Sequence, residues 1–106
     1  MKKIKVMPPI TVTVPTKEGP VQLEMTMTRF LTDAMNNHAH FGKGFAGVCQ
    51  GLKIKGVIDA ATEMIELDDV DYTELRKAVD GISFLPVIAM ACKLYYDAVE
   101  KPITQE

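Results

Sequence analysis

Asn36-Asn37-His38-Ala39-His40-Phe41-Gly42-Lys43-Gly44-Phe45-Ala46-Gly47 separates two halves of the chain that carry different hydrophobic periods. Upstream, apolar residues alternate with polar ones before running into one short helical pattern. Downstream, they recur every three or four residues to the end. Period two means strand and period near 3.6 means helix, so this joint decides the fold class as α+β.

Working back from the joint, Ile10-Thr11-Val12-Thr13-Val14 alternates strictly and is rich in β-branched residues, as a half-buried strand should be. Val21-Gln22-Leu23-Glu24-Met25-Thr26-Met27 alternates again, with Val21, Leu23, Met25 and Met27 on one face. Between them, Pro15 to Pro20 carries turn chemistry, Gly19 being free to take positive φ. The expectation is an antiparallel β-hairpin with one apolar face. Lys3-Ile4-Lys5-Val6 offers a third short strand, which Pro8 and Pro9 place at an edge or leave as an arm. Thr28 is the expected N-cap of a helix from Arg29 to about Asn37, with Phe30, Leu31, Ala34 and Met35 inward.

Working forward, Phe41, Phe45, Val48 and Leu52 form one helix face, and Ile54, Ile58, Ala61 and Ile65 form another on a shifted phase. This predicts a single bent helix from about Gly44 to Met64, weakened at Gly51 and Gly56. Ile65-Glu66-Leu67 alternates briefly, which allows an extended segment. Asp71 with Glu74 reads as a capping box for the next helix, with Leu75, Ala78, Val79 and Ile82 inward. Ser83 and Pro86 then suit the start of a last helix that is apolar almost all round through Val99, with Pro102 closing it and a frayed end after it. The whole is one domain, 1–106, with a β-hairpin region over 1–28 packed on a bundle of about four helices over 29–106.

Composition narrows the function. The 106 residues are 47% hydrophobic and 25% charged with a net charge of −2, ordinary values for a globular domain. No basic field draws in a polyanion, so duplex nucleic acid is a poor partner. No stretch approaches the length of a membrane span, and the expected location is the cytoplasm. Cys49 and Cys92 both fall in apolar helical patterns and read as reduced, buried thiols. Seven methionines, among them Met25, Met27, Met35, Met64 and Met90, read mainly as core and in part as an adaptable interface.

The joint itself contains a Gly-x-G-x-x-G string at Gly42, Gly44 and Gly47. A dinucleotide turn needs a buried strand before the glycines and a βαβ unit around them, and neither is present. What remains is a helix start whose amides, with Arg29, His38, His40, Gly42, Lys43 and Gly44, offer a candidate site for a phosphate or other small anion. His38 and His40 share a side of an extended segment, but no third ligand stands at metal-site spacing, so no metal or cofactor is expected. The acidic run from Glu66 to Glu74 lacks the glycine and terminal glutamate of a calcium loop. Neither cysteine has a positioned base and Ser83 is the single serine, so the chain is not expected to be an enzyme.

From Phe41 to Val99 the layout runs from a helix to Ile65-Glu66-Leu67-Asp68-Asp69, then Asp71-Tyr72-x-x-Leu75, then Pro86-Val87 leading to Ala98-Val99. This resembles small accessory and assembly proteins of tailed bacteriophages. The resemblance implies a viral, non-enzymatic product in the bacterial host cytoplasm that engages a phage or host protein. The residues themselves favour a homo-oligomer, because the last helix is too apolar for so small a chain and the hairpin leaves an edge open. The leading expectation is therefore a protein-binding factor acting as a homo-oligomer. The alternatives are a small-ligand binder at the Gly42–Gly47 turn or a subunit junction, and a structural virion component.

Overall fold

The computed structural model describes residues 1–82 and 86–104. Strand β1 (Lys2–Lys5) is followed by β2 (Ile10–Thr16) and β3 (Gly19–Met25), then helix α1 (Met27–Asn36), a 3-10 turn (Ala39–Gly42) and helix α2 (Gly44–Ala60). Strand β4 (Met64–Leu67), helices α3 (Asp69–Asp80), α4 (Pro86–Ala91) and α5 (Lys93–Glu100), and strand β5 (Ile103–Thr104) complete the chain.

The α+β class and the hairpin hold. Strands β2 and β3 pair in register from Ile10 opposite Met25 to Thr16 opposite Gly19, and Gly19 takes φ 115° as the turn requires. Its apolar face is covered unevenly: Val12 is 4% exposed, whereas Val21 and Leu23 are each 43% exposed. The alternation of β3 gave its inward side correctly but not how far the body reaches along it.

Three corrections concern the other elements. Lys2–Lys5 is no edge or arm but the centre of a second sheet of order β4-β1-β5, paired with residues far away in the chain. Its register sets Ile4 beside Ile65 in the core and Lys3 opposite Glu66 outside, where the two form an ion pair at 3.1 Å. The same sheet orders Ile103 and Thr104 against β1, where fraying was expected, and places two strands inside the helical region. Helix α1 begins two residues early. Thr26, not Thr28, caps it by accepting from the Arg29 amide at 3.2 Å, which turns Met27 from a strand residue into a buried first-turn residue. The last apolar run is two helices, α4 and α5, meeting at Cys92, and Met90 is 79% exposed rather than core. The expected Ser83 cap, with Phe84 and Leu85, lies outside the described residues.

The core sits between the β4-β1-β5 sheet, α1, α2, α3 and α5, with Ile4, Leu31, Ile54, Leu75 and Val99 all fully buried. Tyr95 ties its layers together. Fully buried on α5, it places its hydroxyl 2.8 Å from the Pro8 carbonyl oxygen and 2.9 Å from that of Met25, so the β1–β2 connection and the end of β3 share one donor. No helix of the described residues is long and apolar enough to cross a membrane.

Candidate functional site

Helix α2 is continuous over Gly44–Ala60 and ends four residues before Met64, which enters β4 instead. It has two apolar faces, as its shifted phase implied, but their roles are the reverse of what bulk suggests. The buried side is Gly47, Gly51, Ile54 and Ile58. A Cβ on Gly47 would run into the His40 carbonyl oxygen, and one on Gly51 would stand 3.1 Å from the Phe41 Cβ. The glycines let the 3-10 turn lie directly on the helix, and Phe41 is held in that turn rather than on α2.

The side with the large residues faces solvent. Phe45 is 86% exposed, Leu52 66% and Val48 40%, and Cys49 beside them is exposed, not buried as its neighbours implied. Cys92 is the buried thiol, and burial pushes its pKa up. Single exposed apolar residues are ordinary, but three within three turns of one helix, one of them a phenylalanine almost fully in water, make a surface.

Beside that surface lies a cavity of about 380 Å³ between the C-terminal half of α1, the 3-10 turn and α2. Met35, Phe41, Val48 and Leu52 give it an apolar lining, with Asn36 and His38 among its polar groups and Lys55 as the one lysine or arginine that lines it among the described residues.

From the same turn, the two histidines open a polar chain across three elements. His38 Nε2 lies 3.2 Å from Glu74 Oε2, and His40 Nε2 lies 2.7 Å from Gln50 Oε1. Gln50 Nε2 donates to Asp71 Oδ1 at 3.0 Å, and Lys53 Nζ stands 2.8 Å from Asp71 Oδ2 and 3.4 Å from Asp68 Oδ2. An ionised carboxylate only accepts, so Asp71 turns the Gln50 amide nitrogen toward itself and the amide oxygen toward His40. Both histidines therefore carry a proton on Nε2, one for Gln50 and one for Glu74. Phe41 sets its ring at 75° to His38 and 71° to His40, with centroids 5.2 and 5.5 Å away.

This chain corrects the reading of the acidic run. Asp68, not Asp71, caps α3, accepting from the Asp71 amide at 2.8 Å. That amide is the first cause holding the Asp68 carboxyl below its usual range. Asp71 is 5% exposed and belongs to the Gln50–Lys53 contacts, while Glu74 turns to the histidines. The His38 hydrogen bond is the first cause that holds the Glu74 carboxyl below the ordinary glutamate range. The Asp71 hydrogen bond likewise raises Lys53.

The six candidate anion residues are not brought to one place. His38 and His40 do stay together, with ring centroids 5.9 Å apart and Nε2 atoms 3.2 and 3.9 Å from Glu74 Oε2; His38 and Gly42 also line the cavity, and His40 is engaged by Gln50. Arg29 pairs with Asp33 at 4.0 Å on α1, and Lys43 and Gly44 are exposed at the start of α2, Gly44 at φ 75°. Among the described residues no three His, Cys, Asp or Glu side chains gather as a metal site. Gln50, Asp71 and Glu74 escaped the sequence reading, Glu74 and Asp71 because their spacing also fits a helix cap. Comparison with family models, curated proteins and solved structures finds no match to this chain.

Proposed function

We propose that this chain is a small non-catalytic protein-binding factor that acts as a homo-oligomer, and that the outer face of α2 is its working surface. The observation that carries this is the exposure of Phe45, Val48 and Leu52 at helical spacing on one side of a continuous helix. A folded chain with a core of its own has no internal use for a phenylalanine in water, whereas an amphipathic helix face is a common means of protein recognition. The polar chain from His38 to Asp68 serves to hold the 3-10 turn and α3 against α2, so that this face is presented on a firm base. The resemblance to small phage accessory proteins agrees with such a role. The test is a photo-crosslinking amino acid at position 52, with position 73 on α3 as the exposed control, expressed in cells. Adducts with protein from position 52 and none from 73 are expected; equal or no adducts from both would contradict the reading.

A second reading is favoured by the cavity, since His38 and Gly42 belong to its lining. With Lys55 the one lysine or arginine in its lining among the described residues, it suits a small uncharged or amphipathic molecule better than a nucleotide. A ligand at a hundredfold excess over Kd would stabilise the fold by about 2.7 kcal/mol, which a thermal-shift panel of anions and small aromatic compounds detects readily. No shift with any of them removes this reading.

A further inference from the structure

Two features of α2 have no explanation inside a single copy. Phe45, in its first turn, is 86% exposed. Gly56, in its interior, costs helix stability, yet a Cβ there would meet nothing within 4 Å, so no close packing in this chain asks for a glycine. Both lie on the outer face, on the same side as Cys49 and Leu52, at spacings of four, three and four residues.

That spacing is palindromic and the sizes across it are complementary: large Phe45 mirrors Gly56, which has no side chain, and small Cys49 mirrors large Leu52. Resting on the reading of the α2 face as a protein-binding surface, we infer that its occupant is the same helix of a second copy, antiparallel, about a two-fold axis level with the Gln50–Gly51 peptide. In this one register Phe45 lies over the partner's Gly56, where no side chain opposes the ring, and Leu52 lies beside the partner's Cys49. A two-fold interface is self-complementary by construction, so each contact occurs twice. The charges agree. Lys43, which forms no ion pair among the described residues, comes within one residue of the level of the partner's Asp59, a carboxylate held at 3.0 Å by Lys55 in its own chain. Lys53 is turned to Asp68 and Asp71 of its own chain, away from the partner helix. The axis also brings the two Cys49 thiols near each other, at the distance set by packed helices about 8–10 Å apart. A single helix pair is at the small end of specific interfaces, below about 1,200 Å² in total, which places the dimer in the weak, micromolar class.

The experiment uses the intact chain in three forms: native, Phe45→Asp and Gly56→Leu. Each is examined by sedimentation equilibrium over a wide concentration range and by a short bismaleimide, which reads Cys49 because Cys92 is 1% exposed. The native chain gives a reversible monomer–dimer equilibrium and a dimer joined through Cys49. Phe45→Asp and Gly56→Leu each weaken dimerisation at least about tenfold and lose the crosslink, as removal of a central contact should. Gly56→Leu faces open space within the chain and keeps its circular dichroism and melting cooperativity, so its effect is not unfolding. A strict monomer, a dimer that Gly56→Leu leaves unchanged, or a dimer with no Cys49 crosslink overturns the inference. A monomeric chain whose position 52 still crosslinks to another protein in cells overturns the second copy as occupant, and with it the homo-oligomer, but leaves the α2 face as a protein-binding surface. A chain with neither loses the wider reading as well.

Discussion

The inner and outer faces of α2 are both apolar and belong to the same continuous helix, yet one is closed by the chain and the other is open. The closed face carries two glycines and two isoleucines, and the open one carries phenylalanine, valine, cysteine and leucine. The difference teaches that burial here follows closeness of approach rather than residue size. Where the chain folds back on itself through the 3-10 turn it needs a helix with no side chains in the way, and Gly47 and Gly51 supply one.

Substitutions on the two faces should therefore differ in kind. The largest effect is expected at Ile54, which is fully buried: Ile54→Ala should cost about 2–5 kcal/mol, measured by denaturant unfolding of dilute protein. Gly47→Ala comes next. Helix propensity alone would make it stabilising by about 1 kcal/mol, but the clash with the His40 carbonyl should reverse the sign to a loss of about 1–3 kcal/mol. A gain in stability there would break the account of the inner face.

Smaller again is the contribution of Glu74, which can be separated by pH. Its carboxyl is held below the usual range in the folded state, so the unfolded chain binds the extra proton first as pH falls. The stabilisation is complete above the ordinary glutamate range and is lost as pH drops through the folded value. Glu74→Gln should accordingly be less stable than the native chain near neutrality, and the gap should close in acid; a gap that widens in acid would contradict the His38–Glu74 contact. The smallest effect belongs to the outer face: Phe45→Ser should alter the stability of the dilute monomer by no more than about 0.5 kcal/mol. A loss comparable to that of Ile54→Ala would mean that the ring packs within its own chain.

The sequence was most legible where a pattern is local. The hairpin was readable because alternation and a two-residue turn lie within sixteen residues, and the register follows from them. The central place of β1 was not, since its partners lie some sixty and one hundred residues away and nothing in Lys2–Lys5 marks both edges as occupied. For α2 the periodicity discloses two apolar faces but cannot rank them, because what closes the inner one is the close approach that Gly47 and Gly51 allow and not the bulk of its residues. Asp71 and Glu74 illustrate a different limit. Three-residue spacing before a helix satisfies a capping box, so the sequence gives no reason to look for the His38 and Gln50 contacts that the fold forms instead. The candidate anion residues are neighbours in sequence, and the fold keeps His38 and His40 together against Glu74 while Arg29 pairs with Asp33 on α1.

The central claim is that the outer face of α2 is covered by the same face of a second copy. It is tested most directly by isotope-filtered NMR on an equal mixture of labelled and unlabelled chain, concentrated enough to populate the dimer. The account predicts intermolecular cross-peaks between the Phe45 ring protons and the α-protons of the partner's Gly56. Concentration-independent shifts along α2 with no such cross-peaks would contradict it.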